Sequence, residues 1–304
     1  MMASLGGGAR PCPPAHETYS LWITVRGPDS RLPASPLPES PSTSCASPSS
    51  ASSPFFPSRA VEDLAACLGT PRFLPHITLL GGGLQHLSLE QISSIIRGVV
   101  AGEAHTHSPC AVKQKTGTRP FYVRVQEVTS GPTPYQCIFA RIRQPGEAPS
   151  PHASAVASQT GHAAQAGHDL HDDPESLFAL NNALRVALYD AFGVPYKGDN
   201  DVYMPHVSLV YANQEDLSLQ KRQAIAEFLN KTHRHPHESR KHAGSSRDLD
   251  LALLEKLEAT REKFGKHVRG TFISVESIEI VETALADCSQ AHKWKILESI
   301  PLHK

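Results

Sequence analysis

The strings Pro75-His76-Ile77-Thr78-Leu79 and Pro205-His206-Val207-Ser208-Leu209 constrain this chain more than anything else in it. They are one pattern written twice: Pro, His, a β-branched residue, a hydroxyl residue, Leu. Each follows an aromatic and an apolar residue, Phe73-Leu74 and Tyr203-Met204. The β-branched and Leu positions predict a buried strand in both places. Alternation then sets the imidazole and the hydroxyl two residues later on one face of that strand. Two such strands, far apart in sequence, read as two halves of a single site. Two histidines can supply an acid and a base near neutral pH, and two hydroxyls can bond an oxyanion. That equipment suits metal-free hydrolysis of a phosphodiester.

The short triplet His-x-(Ser/Thr) means little alone. The chain has 17 His, and the triplet also begins at His16, His86, His152 and His237. The five-residue pattern occurs only at His76 and His206. A pair of strands with unrelated histidines is the competing reading, and the number of shared positions weighs against it.

Charge narrows the ligand. Lys and Arg number 29 against 30 Asp and Glu, a formal net charge of −1. A balance this even argues against a broad nucleic-acid or membrane footprint, so a nucleotide ligand is expected to be small and held locally. Residues 1–14 contain no apolar run of the kind that directs secretion, and no stretch is long enough to span a membrane. Cys12, Cys45, Cys67, Cys110, Cys137 and Cys288 show no paired spacing. Disulfide and zinc frameworks are therefore not expected, and a reducing, cytoplasmic setting is.

Low-complexity stretches interrupt ordered ones. Residues 1–18 read as a tail, and 28–58, 147–173 and 232–248 as insertions with little to bury. The remainder forms a single domain over 19–302, about 200 residues once the insertions are removed. Strands are expected at 19–25, from His76 to the Gly81-Gly82-Gly83 stop, at 121–128 and 135–142 around Gly131-Pro132, from His206, and at 272–281 and 293–300. Helices are expected at 61–68, 88–100, 176–192, 218–229 and 249–264. Each half thus holds a helix, a His strand, a helix and two strands, an internal duplication of α+β class with lobes at about 19–143 and 176–300.

These pieces resemble the 2H phosphoesterase superfamily, and within it the cyclic phosphodiesterases of plants and fungi. The similarity rests on Tyr19-Ser20-Leu21-Trp22, Phe73-Leu74-Pro75-His76-Ile77-Thr78, Tyr135-Gln136-Cys137-Ile138-Phe139 and Tyr203 through Ala212. It covers the ordered core and none of the insertions, which depart from the compact plant pattern. The resemblance implies a bilobal fold, with two antiparallel sheets facing a central cleft and helices outside. It implies hydrolysis of ADP-ribose 1″,2″-cyclic phosphate and of nucleoside 2′,3′-cyclic phosphates to 2′-phosphates, linked to by-products of tRNA splicing. His76 and His206 would be catalytic, Thr78 and Ser208 would bind the phosphate, and no cofactor or metal is implied. Analogy makes His206 the base and His76 the acid, an order the residues themselves leave open. A monomer is expected, with no membrane insertion, and a peripheral contact with an endomembrane stays open.

Other features carry two readings each. Tyr211 would stack on a base by analogy, or be a core tyrosine. Trp22 and Tyr135 are further candidates for the cleft wall, or plain packed aromatics. The run 197–201 could cover a ligand or merely connect. His233, His235, His237 and His242 look like a metal tract, but Lys231, Arg234, Arg240 and Lys241 beside them repel a cation. Gly81-Gly82-Gly83 lacks the Lys-(Ser/Thr) of a phosphate loop and reads as a turn. An RNA-end nuclease or 2′-5′ ligase-like enzyme would want a basic channel, which the charge balance does not favour. An inactive nucleotide-binding module would have little use for two proton-transfer groups.

Overall fold

The computed structural model describes residues 19–25, 55–57, 59–82, 84–102, 119–148, 170–194, 203–230, 249, 251–263, 268–283 and 288–302, with side chains masked from 261 to 263. Expectations for 197–201, for the histidine tract and for most of the three insertions fall outside these residues. Eight strands are described: β1 (Tyr19–Thr24), β2 (His76–Gly81), β3 (Phe121–Ser130), β4 (Ile138–Ile142), β5 (His206–Val210), β6 (Phe272–Val275), β7 (Ser277–Glu282) and β8 (Lys295–Pro301). Five helices accompany them: α1 (Ala60–Leu68), α2 (Leu89–Ala101), α3 (Pro174–Phe192), α4 (Leu219–Asn230) and α5 (Leu251–Lys263). The class is α+β.

Local chemistry explains the helix ends. Ser88 accepts from the Gln91 amide and the Gln91 side chain answers the Ser88 amide, a reciprocal cap that starts α2. Asp173 caps α3 just before Pro174, whose fixed φ suits a first helical position. α1, α2 and α3 end at Gly69, Gly102 and Gly193, all left-handed, where glycine avoids a Cβ clash.

The strands pair antiparallel in the order β6-β3-β4-β5-β2-β1-β7-β8. The two sheets expected from the resemblance are thus joined edge to edge into one, through β2 and β5. The halves of the sequence also interleave. β1 and β2 pair with β7 and β8, whereas β3 and β4 pair with β5 and β6. The single strand expected over 272–281 is really two: it breaks at Glu276, where the chain leaves β3 and crosses to β1. The Glu276 carbonyl accepts the Leu302 amide at that break.

The His strands sit at the centre. Ile77, Leu79, Val207 and Leu209 are fully buried in a core shared with Val61 and Leu64 of α1 and Leu177 and Leu184 of α3. Each such side chain contributes about 1.5–3 kcal/mol of burial, which fixes which face of β2 and β5 points inward. β2 and β5 register through one pair, Ile77 with Val207. Nearby carbonyls of β2 are met by side chains instead: Tyr203 donates to Thr78 O at 3.2 Å and Asn181 to Leu79 O at 2.6 Å.

Two insertions end inside the fold rather than beside it. Phe56 is 1% exposed, and its amide bonds Phe272 O at 2.8 Å. Asp172 bridges Tyr122 and accepts from Arg143 Nε at 2.6 Å. Apolar and ion-pairing residues at these ends find partners that the surrounding low-complexity sequence disguises.

Candidate active site

The Ile77–Val207 pair joins the same position of both repeats, the third of five residues. In an antiparallel pair, like positions facing each other generate a local twofold axis. His76 and Thr78 on β2 are thereby related to His206 and Ser208 on β5, and all four project from the face opposite Ile77 and Val207. The symmetry extends outward. β1 pairs Trp22 with Thr78 and Thr24 with His76, and β4 pairs Phe139 with Ser208 and Arg141 with His206. Both flanking strands shift register at the equivalent place, between Leu21 and Trp22 and between Ile138 and Phe139. The Val25 amide bonds Pro75 O at 2.9 Å, and the Ile142 amide bonds Pro205 O at 3.0 Å.

Each imidazole is held in the same way. His76 Nδ1 lies 2.7 Å from Leu74 O, and His206 Nδ1 lies 2.9 Å from Met204 O. A carbonyl only accepts, so Nδ1 carries the proton in both rings and the Nε2 lone pair is left for chemistry. Burial holds the His76 imidazole neutral, down to about 3, against the favourable Leu74 carbonyl, and His206 adds to the depression. Burial also lowers His206, opposed by the Met204 carbonyl. The contribution of His206 to the His76 shift places His206 within electrostatic reach of His76.

The two rings differ in their surroundings. Trp22 stacks on His76 with centroids 3.5 Å apart and planes 6° from parallel. Phe73 and Trp294 meet His76 at 6.3 and 6.4 Å, both roughly edge-on. Tyr211 Oη lies 3.5 Å from His76 Nε2 and also hydrogen-bonds Ser208, so this hydroxyl spans the two motif strands. His206, half-buried, meets Phe139 at 5.0 Å. Its cross-strand neighbour Arg141 is engaged by Glu127 at 2.9 Å and Glu147 at 2.7 Å.

The hydroxyls differ too. Ser208 donates to Tyr135 O at 2.9 Å and is buried. Half-buried Thr78 makes no side-chain hydrogen bond among the described residues. Trp22 and Tyr211, both expected as stacking surfaces, are each 3% exposed, with ring faces on His76 and Phe73 respectively. Tyr135 does not begin a strand, as sequence alone suggested. It lies in a 3-10 turn, Pro134–Gln136, that Thr133 caps by accepting the Gln136 amide.

Three residues of this neighbourhood were given no role in the sequence reading. Trp294 sat inside an expected strand, yet it follows a 3-10 segment, Cys288–Lys293, and turns toward Trp22, Tyr135 and Tyr211. Phe139 belongs to one of the strings that carry the resemblance, and its ring meets His206. Arg222 falls in the helix expected over 218–229, and it is fully buried and donates to Leu217 O, Gly131 O, Thr133 O and Ala212 O. It ties the turn bearing Tyr135 to the segment bearing Tyr211. Its helical spacing inside an apolar stripe was the one available hint.

Among the described residues, no three His, Cys, Asp or Glu are grouped to hold a metal ion, and no helix is long and apolar enough to cross a membrane. No model of a known protein family matches the chain, and no curated protein matches it.

Proposed function

We propose that the chain hydrolyses small cyclic phosphodiesters, with His76 and His206 transferring the protons and no metal ion taking part. One observation carries this reading: Ile77 pairs with Val207 in like register, and the imidazole on either side is anchored through Nδ1, so that each Nε2 carries the lone pair, that of His76 lying 3.5 Å from Tyr211 Oη. Opening a cyclic phosphate needs water to attack phosphorus in line with the departing ring oxygen. One Nε2 takes a proton from the water, and the other imidazole, protonated, gives one to the leaving oxygen. The P–O bond to water forms as the ring P–O bond breaks, and one proton crosses at each end. Two like groups related by a twofold axis suit that geometry.

The surroundings favour one order of roles. His206 is the more accessible ring and takes the proton from water. His76, enclosed by aromatic rings, becomes charged when the anionic phosphate arrives, and delivers its proton to the leaving oxygen. Thr78, with its hydroxyl uncommitted, donates to a non-bridging oxygen. Ser208 holds Tyr135 and Tyr211 in the ligand-free chain and turns to the phosphate on binding. If the two four-stranded halves of the sheet act as lobes, the ligand lies along their junction at β2 and β5. The substrates that the resemblance implies, ADP-ribose 1″,2″-cyclic phosphate and nucleoside 2′,3′-cyclic phosphates, fit a small, locally gripped anion.

Purified protein incubated with these cyclic phosphates in excess chelator should release monoesters, the nucleotides as 2′-phosphates. Activity lost in chelator and restored by a divalent ion would remove the two-histidine mechanism. Cleavage of short RNAs in preference to mononucleotides would replace this substrate class with an RNA-end processing one. An absence of turnover with retained binding would mark a nucleotide-binding module.

A further inference from the structure

We propose that Glu279 is a positioning residue for His76: it clamps the end of β1 so that Trp22 and Thr24 hold the imidazole in line with the leaving oxygen. This role rests on the cyclic phosphodiesterase reading and on His76 as its acid. Cross-strand pairs put Thr78 beside Trp22, Trp22 beside Glu279 and Glu279 beside Ser299, so one row runs from the motif strand β2 out to β8. Paired residues share a face of the sheet, here the face of the histidines. Glu279 is fully buried on it. A carboxylate closed off from water is costly unless hydrogen bonds answer it. Three donors do: the Thr24 amide at 2.9 Å on Oε2, and the Ser277 and Ser299 hydroxyls at 2.7 and 3.4 Å on Oε1.

The Thr24 bond is the one that reaches the chemistry. Backbone pairing of β1 with β7 ends at Trp22, whereas pairing with β2 runs on to Thr24, which pairs with His76. The end of β1 is therefore held on one side by the His76 strand and on the other by the Glu279 side chain in place of a ladder. The Thr24 hydroxyl is buried with no hydrogen-bond partner among the described residues, so it does not share that task. Between Glu279 and the motif strand lies Trp22, whose ring stacks 3.5 Å from that of His76 and fixes its plane. The twofold-related half is built differently. Arg141 occupies the place of Thr24 beside His206, and Thr129 that of Glu279 beside Phe139. There Glu127 binds the Arg141 side chain instead. The clamp on the backbone thus belongs to the His76 half, whose ring must be aimed at the leaving oxygen. A misplacement of about 1 Å in a group that takes part in the reaction can cost on the order of 10²-fold.

Leaving-group dependence separates aiming His76 from merely supporting the fold. The parent chain and its variants are assayed on a nucleoside 2′,3′-cyclic phosphate, which needs the acid, and on a nitrophenyl phosphodiester, which hardly does. Glu279→Ala should lose about ten-fold or more in kcat on the cyclic phosphate, with KM changed less than about two-fold and the nitrophenyl reaction nearly unchanged. Glu279→Gln keeps an oxygen for the Thr24 amide and should recover most of the loss. Glu279→Asp keeps the charge but is one methylene short of that amide, and should behave as Glu279→Ala does; it carries the test if the Ala variant fails to fold. Equal loss on both substrates would make Glu279 an ordinary structural group and overturn the proposal. So would parental turnover of the cyclic phosphate in Glu279→Ala. His76→Ala shows which reading has failed. If the nitrophenyl substrate partly restores His76→Ala but not Glu279→Ala, the clamp alone is wrong. If the parent turns over neither substrate, or His76→Ala loses both alike, the acid role falls and the clamp falls with it.

Discussion

His76 and His206 share one anchor and differ in environment, so substitution should separate their roles. His76→Ala and His206→Ala should each remove most turnover of a cyclic phosphate, and the double variant should lose little more, because the groups serve one transition state. A nitrophenyl phosphodiester, whose leaving oxygen needs little acid help, should partly restore His76→Ala and not His206→Ala. Rescue of the other variant would reverse the assignment. Thr78→Ala should cost on the order of 10²-fold in turnover, with Thr78→Ser retaining most of it. Ser208→Ala should also loosen Tyr135 and Tyr211, and so raise KM as well. Both imidazoles lie below their ordinary value in the free chain. The pH profile of kcat/KM reports the free enzyme, so its maximum should lie on the acid side of neutrality. The four motif residues were legible in sequence because a period of two fixes which strand residues share a face. Trp294 and Arg222 were not, since their neighbours come from segments remote in sequence.

The turn at 131–136 is the element on which the site leans most. A Cβ on Gly131 would meet the Gln136 carbonyl oxygen at 2.7 Å, a backbone atom that cannot move without moving Tyr135. Gly131→Ala should therefore shift the carbonyl that holds Ser208 and lower activity more than stability. Arg222→Gln loses most of the four carbonyl bonds that fasten this turn, at Gly131 and Thr133, to the segment holding Ala212 and Leu217, and the same assay should show it impaired. Ser88→Ala serves as the contrast: loss of the α2 cap should cost about 1 kcal/mol in denaturant unfolding and leave turnover unchanged. Equal activity loss in all three variants would mean that turnover follows global stability and not this turn. The elements read best from sequence were helices with explicit stops, such as α1 before Gly69 and α3 before Gly193. The 3-10 turn at Tyr135 was missed because the apolar alternation of β4 continues into it, and Pro134 with its Thr133 cap was outweighed.

At the scale of the whole molecule, the duplication was legible and its wiring was not. Repeats in sequence suggested two lobes in sequence, but β6 and β7 are contiguous and serve opposite halves of the sheet. Pairing is decided by which edges meet, and local pattern carries no record of that. The consequence is that the two motif strands lie at the centre of one sheet, and His76 is enclosed there at 3% exposure. An imidazole buried neutral makes the fold sensitive to acid. Its folded value of about 3 lies below the ordinary value of 6.5, so between those limits the unfolded chain binds a proton that the folded chain does not. Stability is then highest above about pH 6.5 and declines as pH falls toward 3. The share owed to His76 should be about 2 kcal/mol at pH 5, with His206 adding in the same direction. Denaturant unfolding at pH 7.5 and pH 5 should show the parent losing roughly that much more than His76→Phe, which keeps a ring against Trp22 and cannot titrate. If the two proteins lost the same amount, His76 would not be the buried neutral group on which the proposed proton uptake depends.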